Sequence, residues 1–206
     1  MTFPDRRFVD ARSYANAYFE KVNESVASID PEKLQAAADI LTKVYSEGGM
    51  LYSCGNGGSA AIANHIVCDH CKLVRTDTEL TSRIYSLSTT VEIITAIGND
   101  ISYDDIFVFQ LRSLARPGDG LLTISSSGDS ENIVRAVQWA KENGIPVISL
   151  TGFSGGRSAV IADVNLHVDA DNYGIIEDVH QAILHILAQY IRQAHMSEEI
   201  IKQRKF

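Results

Sequence analysis

The feature that most constrains the fold of this chain is the alternation of short apolar runs with longer segments of helical periodicity. The apolar runs cover residues 50–54, 84–87, 121–125, 147–150 and 164–168. Each interval between them is long enough for a helical crossover, and runs that are apolar throughout are typical of a parallel sheet covered on both faces. The order α-α-β-α-β-α-α-β-α-β-α-β-α therefore predicts an α/β fold with a parallel sheet.

Two helices are predicted before the first strand. Residues 9–28 have a helical pattern, and Asp30 with Pro31 forms the N-cap and first-turn pair that opens a second helix, which ends at Gly48 and Gly49. This pair lies outside the repeating β-α units, so we expect residues 1–48 to pack at an oligomer interface. The last helix runs from 175 to about 196. A chain of 206 residues is long enough for one such domain, which we expect to span residues 1–206.

The composition excludes several classes of protein. Hydrophobic residues make up 45% and charged residues 21%, which argues against a disordered chain. The formal net charge of −8 opposes binding to nucleic acid and to anionic membrane surfaces. The net charge does not oppose the binding of small anionic ligands, because backbone N–H groups at helix N-termini bind them whatever the net charge.

The three cysteines indicate a reducing compartment, since they cannot all pair, and we expect the protein in the cytoplasm. Cys68 and Cys71 form a C-x-x-C motif, but only Cys54 remains to complete a zinc site. A thioredoxin-type motif should start its helix, whereas this one lies about nine residues in. We therefore predict partly buried structural cysteines. The sequence also lacks an apolar run long enough to span a membrane.

Two loops that join a strand to a helix carry the residues best suited to bind an anion. The first contains three glycines with Asn56 and Ser59, and it suits a phosphate or a sugar hydroxyl; the alternative is a tight turn without a ligand. The second places the hydroxyl groups of four serines at the start of a helix, namely Ser125, Ser126, Ser127 and Ser130. A plain N-cap explains one or two of these serines, whereas all four together can bind phosphate without Lys or Arg.

Carboxylates and histidines on two helices are candidates for metal binding or proton transfer. His65 and Asp69 are four residues apart and share a helix face, where they could chelate a metal ion, although a surface ion pair is the simpler interpretation. Glu177 and His185 lie on the last helix, about 12 Å apart if that helix is straight, which is too far to share one ion. Sharing would require Glu177 to precede the regular helix, or a neighbouring subunit to supply one of the two.

Several motifs in order resemble the SIS phosphosugar-binding family, and within it the phosphoheptose isomerases. They are the stretches 54–59 (CGNGGS), 95–100 (TAIGND), 125–130 (SSSGDS), 150–152 (LTG) and 185–187 (HIL), and the resemblance runs from about 31 to 192. It implies a single SIS domain of three α/β/α layers around a central five-stranded parallel sheet, of the flavodoxin type. It also implies a homotetramer with sites at subunit interfaces, and zinc in some members.

The resemblance also assigns site residues. The implied substrate contacts are Asn56, Gly57, Gly58, Ser59, Asn99, Asp100, Ser125, Ser126, Ser127, Ser130 and Glu177. The implied metal or acid–base set is His65, Asp69, Glu177 and His185, with Asp69 and His185 as the catalytic pair. The family pattern has Glu where Asp69 stands and Gln where Glu177 stands, and the segment after Asp69 is about two residues longer than is typical.

These residues lead to one main functional hypothesis and two rivals. The main hypothesis is an aldose–ketose isomerase that converts sedoheptulose 7-phosphate to a heptose 7-phosphate through an enediol, with one zinc ion per subunit. One rival is a non-catalytic SIS protein that binds a phosphosugar or another protein as a regulator. The other is a hydrolase or lyase acting on a phosphorylated amino sugar. Retention of Asp69 with His185 favours the isomerase.

Overall fold

A computed structural model describes residues 2–206, and five parallel strands form its central sheet in the order β2-β1-β3-β4-β5. The strands are β1 (Met50–Gly55), β2 (Arg83–Ser86), β3 (Gly120–Ser125), β4 (Val147–Thr151) and β5 (Val164–His167). Each neighbouring pair is parallel, so every connection crosses over the sheet. The predicted fold class is confirmed.

Helices cover both faces of the sheet. They are α1 (Ala11–Ala27), α2 (Pro31–Ser46), α3 (Gly58–Cys68), α4 (Val91–Asp100), α5 (Val108–Leu114), α6 (Glu131–Glu142), α7 (Gly156–Ile161), α8 (Tyr173–Ala194) and α9 (Glu198–Ile201). A π-helical segment, Asp69–Val74, continues α3, and a short 3₁₀ turn, Tyr103–Asp105, follows α4. The predicted start of α2 is confirmed, because the Asp30 carboxylate accepts the N–H groups of Glu32 and Lys33 at 2.9 and 3.3 Å.

The hydrophobic core lies in two layers on opposite faces of the sheet. Adjacent residues of β3 divide between them, since Leu122 packs in the layer that holds α2, α3 and α8, and Leu121 packs in the layer that holds α5 and α6. Both leucines are fully buried, and burial of such a side chain stabilises the fold by about 1.5–3 kcal/mol. This division accounts for the three-layer architecture.

The N-terminal helical pair packs onto α8 of the same chain. The Tyr18 hydroxyl on α1 donates a hydrogen bond of 2.7 Å to the Asp178 carboxylate on α8. One face of α1 is still uncovered, since the Phe19 side chain is 64% exposed. Among residues 2–206, none of the helices has the length and apolar character needed to cross a bilayer.

The prediction of partly buried cysteines in the C-x-x-C motif is wrong. Cys68 and Cys71 are exposed free thiols, and Cys54 is the buried cysteine. The reason is that His70 takes the core-facing position between them, where its Nδ1 lies 2.5 Å from the hydroxyl of Tyr45. The Ser82 hydroxyl donates to the His70 carbonyl group, so the turn is anchored by its buried histidine.

Candidate active site

Both predicted anion-binding loops lie at the carboxyl edge of the sheet. The first joins β1 to α3 and the second joins β3 to α6. Because β1 and β3 are neighbours in the sheet, with Gly55 paired to Ile124, the two loops lie side by side. The chain turns to opposite sides of the sheet at this point, which is where open α/β sheets bind their ligands.

A pair of asparagine side chains joins the two loops. The Asn56 amide donates to Asn132 Oδ1 at 2.9 Å, and the Asn132 amide donates back to Asn56 Oδ1 at 3.0 Å. The Tyr103 hydroxyl donates to the same Asn56 oxygen at 3.1 Å. Asn132 and Tyr103 were not predicted as site residues. The available signal was a polar residue, Asn132, on the otherwise apolar buried face of α6.

The four predicted serines line a cleft of about 140 Å³ at this edge. Its lining residues are Asn56, Ser59, Ile124, Ser125, Ser126, Ser127, Ser130, Tyr173 and Glu177. The Ser125 and Ser127 hydroxyl oxygens accept the N–H groups of Gly128 and Asp129 at 3.1 and 3.3 Å. Ser126 Oγ is buried and has no hydrogen-bond partner among the described residues, which leaves it available to a ligand.

Glu177 lies in this cleft, against the first turn of α3. A Cβ atom at Gly58 would lie 2.5 Å from Glu177 Oε1, so the carboxylate packs directly against the backbone of Gly58 and would have to move for a larger residue. Burial, and then repulsion from Asp178, raises the pKa of Glu177. The preceding residue, Gly57, has φ +54°, which favours glycine.

A second cluster lies further along the contact between α3 and α8 and consists of His65, Asp69 and His185. His65 Nε2 lies 3.3 Å from Asp69 Oδ2, His185 Nε2 lies 3.5 Å from the same oxygen, and the two nitrogens are 3.0 Å apart. Asp69 Oδ2 is buried and accepts no hydrogen bond from the described residues. Two imidazole nitrogens beside an orphaned carboxylate oxygen give three ligand atoms that could together hold a divalent cation.

Glu177, the fourth predicted ligand, is not part of this cluster within one chain. It lies inside the regular helix α8, so the alternative in which it precedes that helix is wrong. The rise of α8 separates it from His185 by about 12 Å. The structure therefore places Glu177 with the serines and His185 with His65 and Asp69.

The remaining predicted contacts lie outside the cleft lining. Asn99 and Asp100 are the last two residues of α4, and the Asn99 amide donates to the Asp100 carboxylate at 2.7 Å. Gly57 is the N-cap and Gly58 the first residue of α3, where the first backbone N–H groups of a helix have no partner within the helix. His180 is fully buried, with Nε2 3.1 Å from the Thr151 carbonyl oxygen, and burial lowers its pKa to about 4.

Known proteins resemble the chain along most of its length. The SIS domain family model matches residues 17–152. A probable phosphoheptose isomerase of Thermoplasma acidophilum is 37% identical over 86% of this chain and 97% of its own length. The phosphoheptose isomerase structure from Neisseria gonorrhoeae is 33% identical, with a TM-score of 0.80 over 88% of this chain and 98% of that one. That from Francisella tularensis is 34% identical, with a TM-score of 0.81 over 90% and 100%. The chain belongs to the SIS-domain family, in the branch of the phosphoheptose isomerases.

Proposed function

We propose that this protein is a sugar-phosphate isomerase that interconverts sedoheptulose 7-phosphate and an aldoheptose 7-phosphate through an enediol. The observation that carries the proposal is the contact between Asp69 and His185, whose Oδ2 and Nε2 atoms are 3.5 Å apart. A carboxylate beside an imidazole supplies the two proton-transfer groups that such an isomerisation needs. The relatives named phosphoheptose isomerase support the same reaction.

In this proposal the serine cleft holds the phosphate group. Hydroxyl groups of Ser125, Ser127 and Ser130 and backbone N–H groups of α6 can satisfy the phosphate oxygens without a cation. Asn56 and Glu177, in the same cleft, would contact the sugar hydroxyls. Asn99 and Asp100 remain predicted contacts that would have to approach from the end of α4.

The chemistry assigned to the pair is a proton transfer between carbons. His185 Nε2 takes a proton from C1 of the ketose, and the electron pair passes to the C2 carbonyl oxygen, which gives the enediolate. Asp69 takes the proton of the C1 hydroxyl and gives it to the C2 oxygen, and His185 returns its proton to C2 as C1 becomes the aldehyde. Asp69 carries the protons between the two oxygens, so atoms and charge balance over the cycle.

A divalent cation, with zinc as the expected ion, fits the cluster of His65, Asp69 and His185. Zinc accepts a mixture of imidazole and carboxylate ligands, and a bound cation would polarise the oxygens of the sugar. Since the lone pair on His185 Nε2 cannot hold a metal ion and a proton together, bound metal and the base role of that nitrogen exclude each other in any one state. Glu177 remains a predicted ligand that only a neighbouring subunit could supply.

The oligomeric state and the location are parts of the same proposal. We infer a homotetramer in which residues 1–48 lie at a subunit interface, because α1 still exposes Phe19 and Val9 precedes it as a 94% exposed residue. The free thiols and the phosphorylated substrate favour the cytoplasm. Nucleic acid and membranes are not expected partners of a chain with net charge −8.

The test is a rate assay on purified protein with sedoheptulose 7-phosphate and a panel of other ketose phosphates, before and after chelation. Asp69→Asn and His185→Ala should each slow isomerisation by about 10²-fold or more, while phosphate binding survives. Asp69→Glu should lower the activity if the site is built for Asp. It should raise the activity if the site has degraded from one that used the Glu of the family pattern. If wild type and Asp69→Asn have equal and negligible rates, the isomerase hypothesis is wrong and the non-catalytic regulator takes its place.

A further inference from the structure

Two carboxylates flank Ser130 at the start of α6, beside the serine cleft. Asp129 precedes Ser130, which is the N-cap residue, and Glu131 is the first residue of the helix. Among the described residues, neither Lys nor Arg lines the cleft. An anion bound there would be repelled by both carboxylates unless cations outside the cleft neutralise them.

Arg157, the second residue of α7, supplies a cation to both carboxylates. Its Nε donates a hydrogen bond of 2.5 Å to Asp129 Oδ1, and one terminal nitrogen donates to the Asp129 carbonyl oxygen at 3.0 Å. The other terminal nitrogen donates to Glu131 Oε2 at 2.9 Å. The Ser158 N–H group donates to the Gly128 carbonyl oxygen at 2.9 Å, so the start of α7 is joined to the loop between β3 and α6.

Arg135 is a second cation for Glu131 but not for Asp129. Its Nε donates to Glu131 Oε1 at 2.9 Å, whereas Arg157 is the one ion-pair partner that Asp129 has among the described residues. Loss of Arg157 would therefore leave Asp129 alone without a cation. The two side chains are 49% and 55% exposed, and such pairs add little to folding stability, so this loss should change the charge beside the cleft without unfolding the chain.

We propose that Arg157 sets the affinity of the serine cleft for a phosphate group by neutralising Asp129. The inference rests on the phosphate site of the proposed function and deepens it by a residue that does not line the cleft. Arg157 acts through Asp129 rather than on the substrate, so it is a positioning residue: it fixes the carboxylate and cancels its charge. The ligand class is a phosphate dianion, whose two charges double the repulsion from an unpaired carboxylate.

Binding of inorganic phosphate, measured by calorimetry at low and high salt, tests the inference. Arg157→Gln should raise the Kd about fivefold at low salt, because one uncompensated charge then repels a dianion. This increase should shrink to less than about twofold in 1 M salt, where the Debye length is about 3 Å. Arg157→Lys keeps the charge and should stay within about twofold of wild type. Arg204→Gln removes an equally exposed arginine, paired with Asp77 outside the cleft, and should leave the Kd unchanged.

A second substitution separates the charge of Arg157 from a merely structural role. Asp129→Asn in the Arg157→Gln chain removes the repelling charge and should return the Kd to within about twofold of wild type. A structural role predicts no such recovery.

Recovery of the Kd, together with the salt dependence, supports the inference. An unchanged Kd in Arg157→Gln, or a raised Kd that neither Asp129→Asn nor salt brings back toward wild type, overturns it and leaves the phosphate site standing. No binding of phosphate to wild type overturns both. The assay involves no turnover, so its result does not depend on the isomerase reaction, and circular dichroism of each variant excludes misfolding as the cause.

Discussion

Replacement of Asn132 by alanine tests whether the asparagine pair organises the cleft. The Asn132 side chain is 1% exposed and makes two hydrogen bonds, of 2.9 and 3.0 Å, with Asn56. At about 1 kcal/mol each, plus the small cavity left behind, Asn132→Ala should cost about 2–4 kcal/mol of unfolding free energy. For a chain of 206 residues this corresponds to a fall in Tm of about 5–15 °C.

In the kinetics, Asn132→Ala should mainly raise KM. Without Asn132, Asn56 retains only the 3.1 Å bond from the Tyr103 hydroxyl and no longer has one fixed position in the cleft. We expect KM for the sugar phosphate to rise about 10-fold while kcat changes less than about threefold, because Asp69 and His185 lie further along α3 and α8. Calorimetry and steady-state kinetics give both quantities.

Two control variants and one contradicting result test whether the asparagine pair joins the two loops for substrate binding. Tyr103→Phe removes a single bond from Asn56 and should raise KM by less than Asn132→Ala does. Asn143→Ala, at the other end of α6, removes the 2.8 Å bond to the Trp139 carbonyl group and should leave KM unchanged. A large fall in kcat at constant KM, or no change in Tm, would refute the idea that the pair joins the two loops for binding.

Three further predictions concern Gly58, Glu177 and His180. Gly58→Ala should change the unfolding free energy in urea by less than about 1 kcal/mol, because the Glu177 carboxylate that its Cβ would meet is the end of a flexible side chain and can move aside; a loss of about 3 kcal/mol would mean that this carboxylate is fixed in place. Glu177→Gln removes a negative charge from the serine cleft and should tighten binding of inorganic phosphate several-fold by calorimetry; weaker binding would mean that the carboxylate does not face the anion. The pKa of His180 is lowered from 6.5 to about 4, so the unfolded chain binds a proton between these values that the folded protein does not. The lowered pKa of His180 therefore stabilises the folded protein fully above about pH 6.5, and this stabilisation falls by about 1.4 kcal/mol per pH unit toward pH 4. His180→Gln should remove this slope from urea titrations.

The fold was predictable because its determinants are local. The apolar runs and the Asp30–Pro31 pair identify each strand and the start of α2 to within about a residue or two, since strand length, periodicity and capping depend on neighbours in sequence. The short helix α9 was not predicted. Its four residues have no room for a helical period.

The site was predictable in its components more than in their arrangement. The glycine and serine loops could be placed at one sheet edge, because parallel strands end at the same edge. The π-helical segment Asp69–Val74 turns His70 rather than the cysteines toward the core. The contact of Asn56 with Asn132 depends on how elements and rotamers pack, which periodicity does not determine.

The central claim is that His185 moves a proton between C1 and C2 of a phosphorylated ketose while Asp69 moves protons between the two oxygens. The most direct measurement follows sedoheptulose 7-phosphate with two deuterium atoms at C1 by proton and deuterium magnetic resonance. Wild type should transfer one deuterium from C1, either to C2 or to water, at the rate at which aldose forms, and Asp69→Asn should do so about 10²-fold more slowly while still binding phosphate. Retention of both deuterium atoms at C1 with wild type, or equal rates of loss in wild type and Asp69→Asn, would contradict the claim.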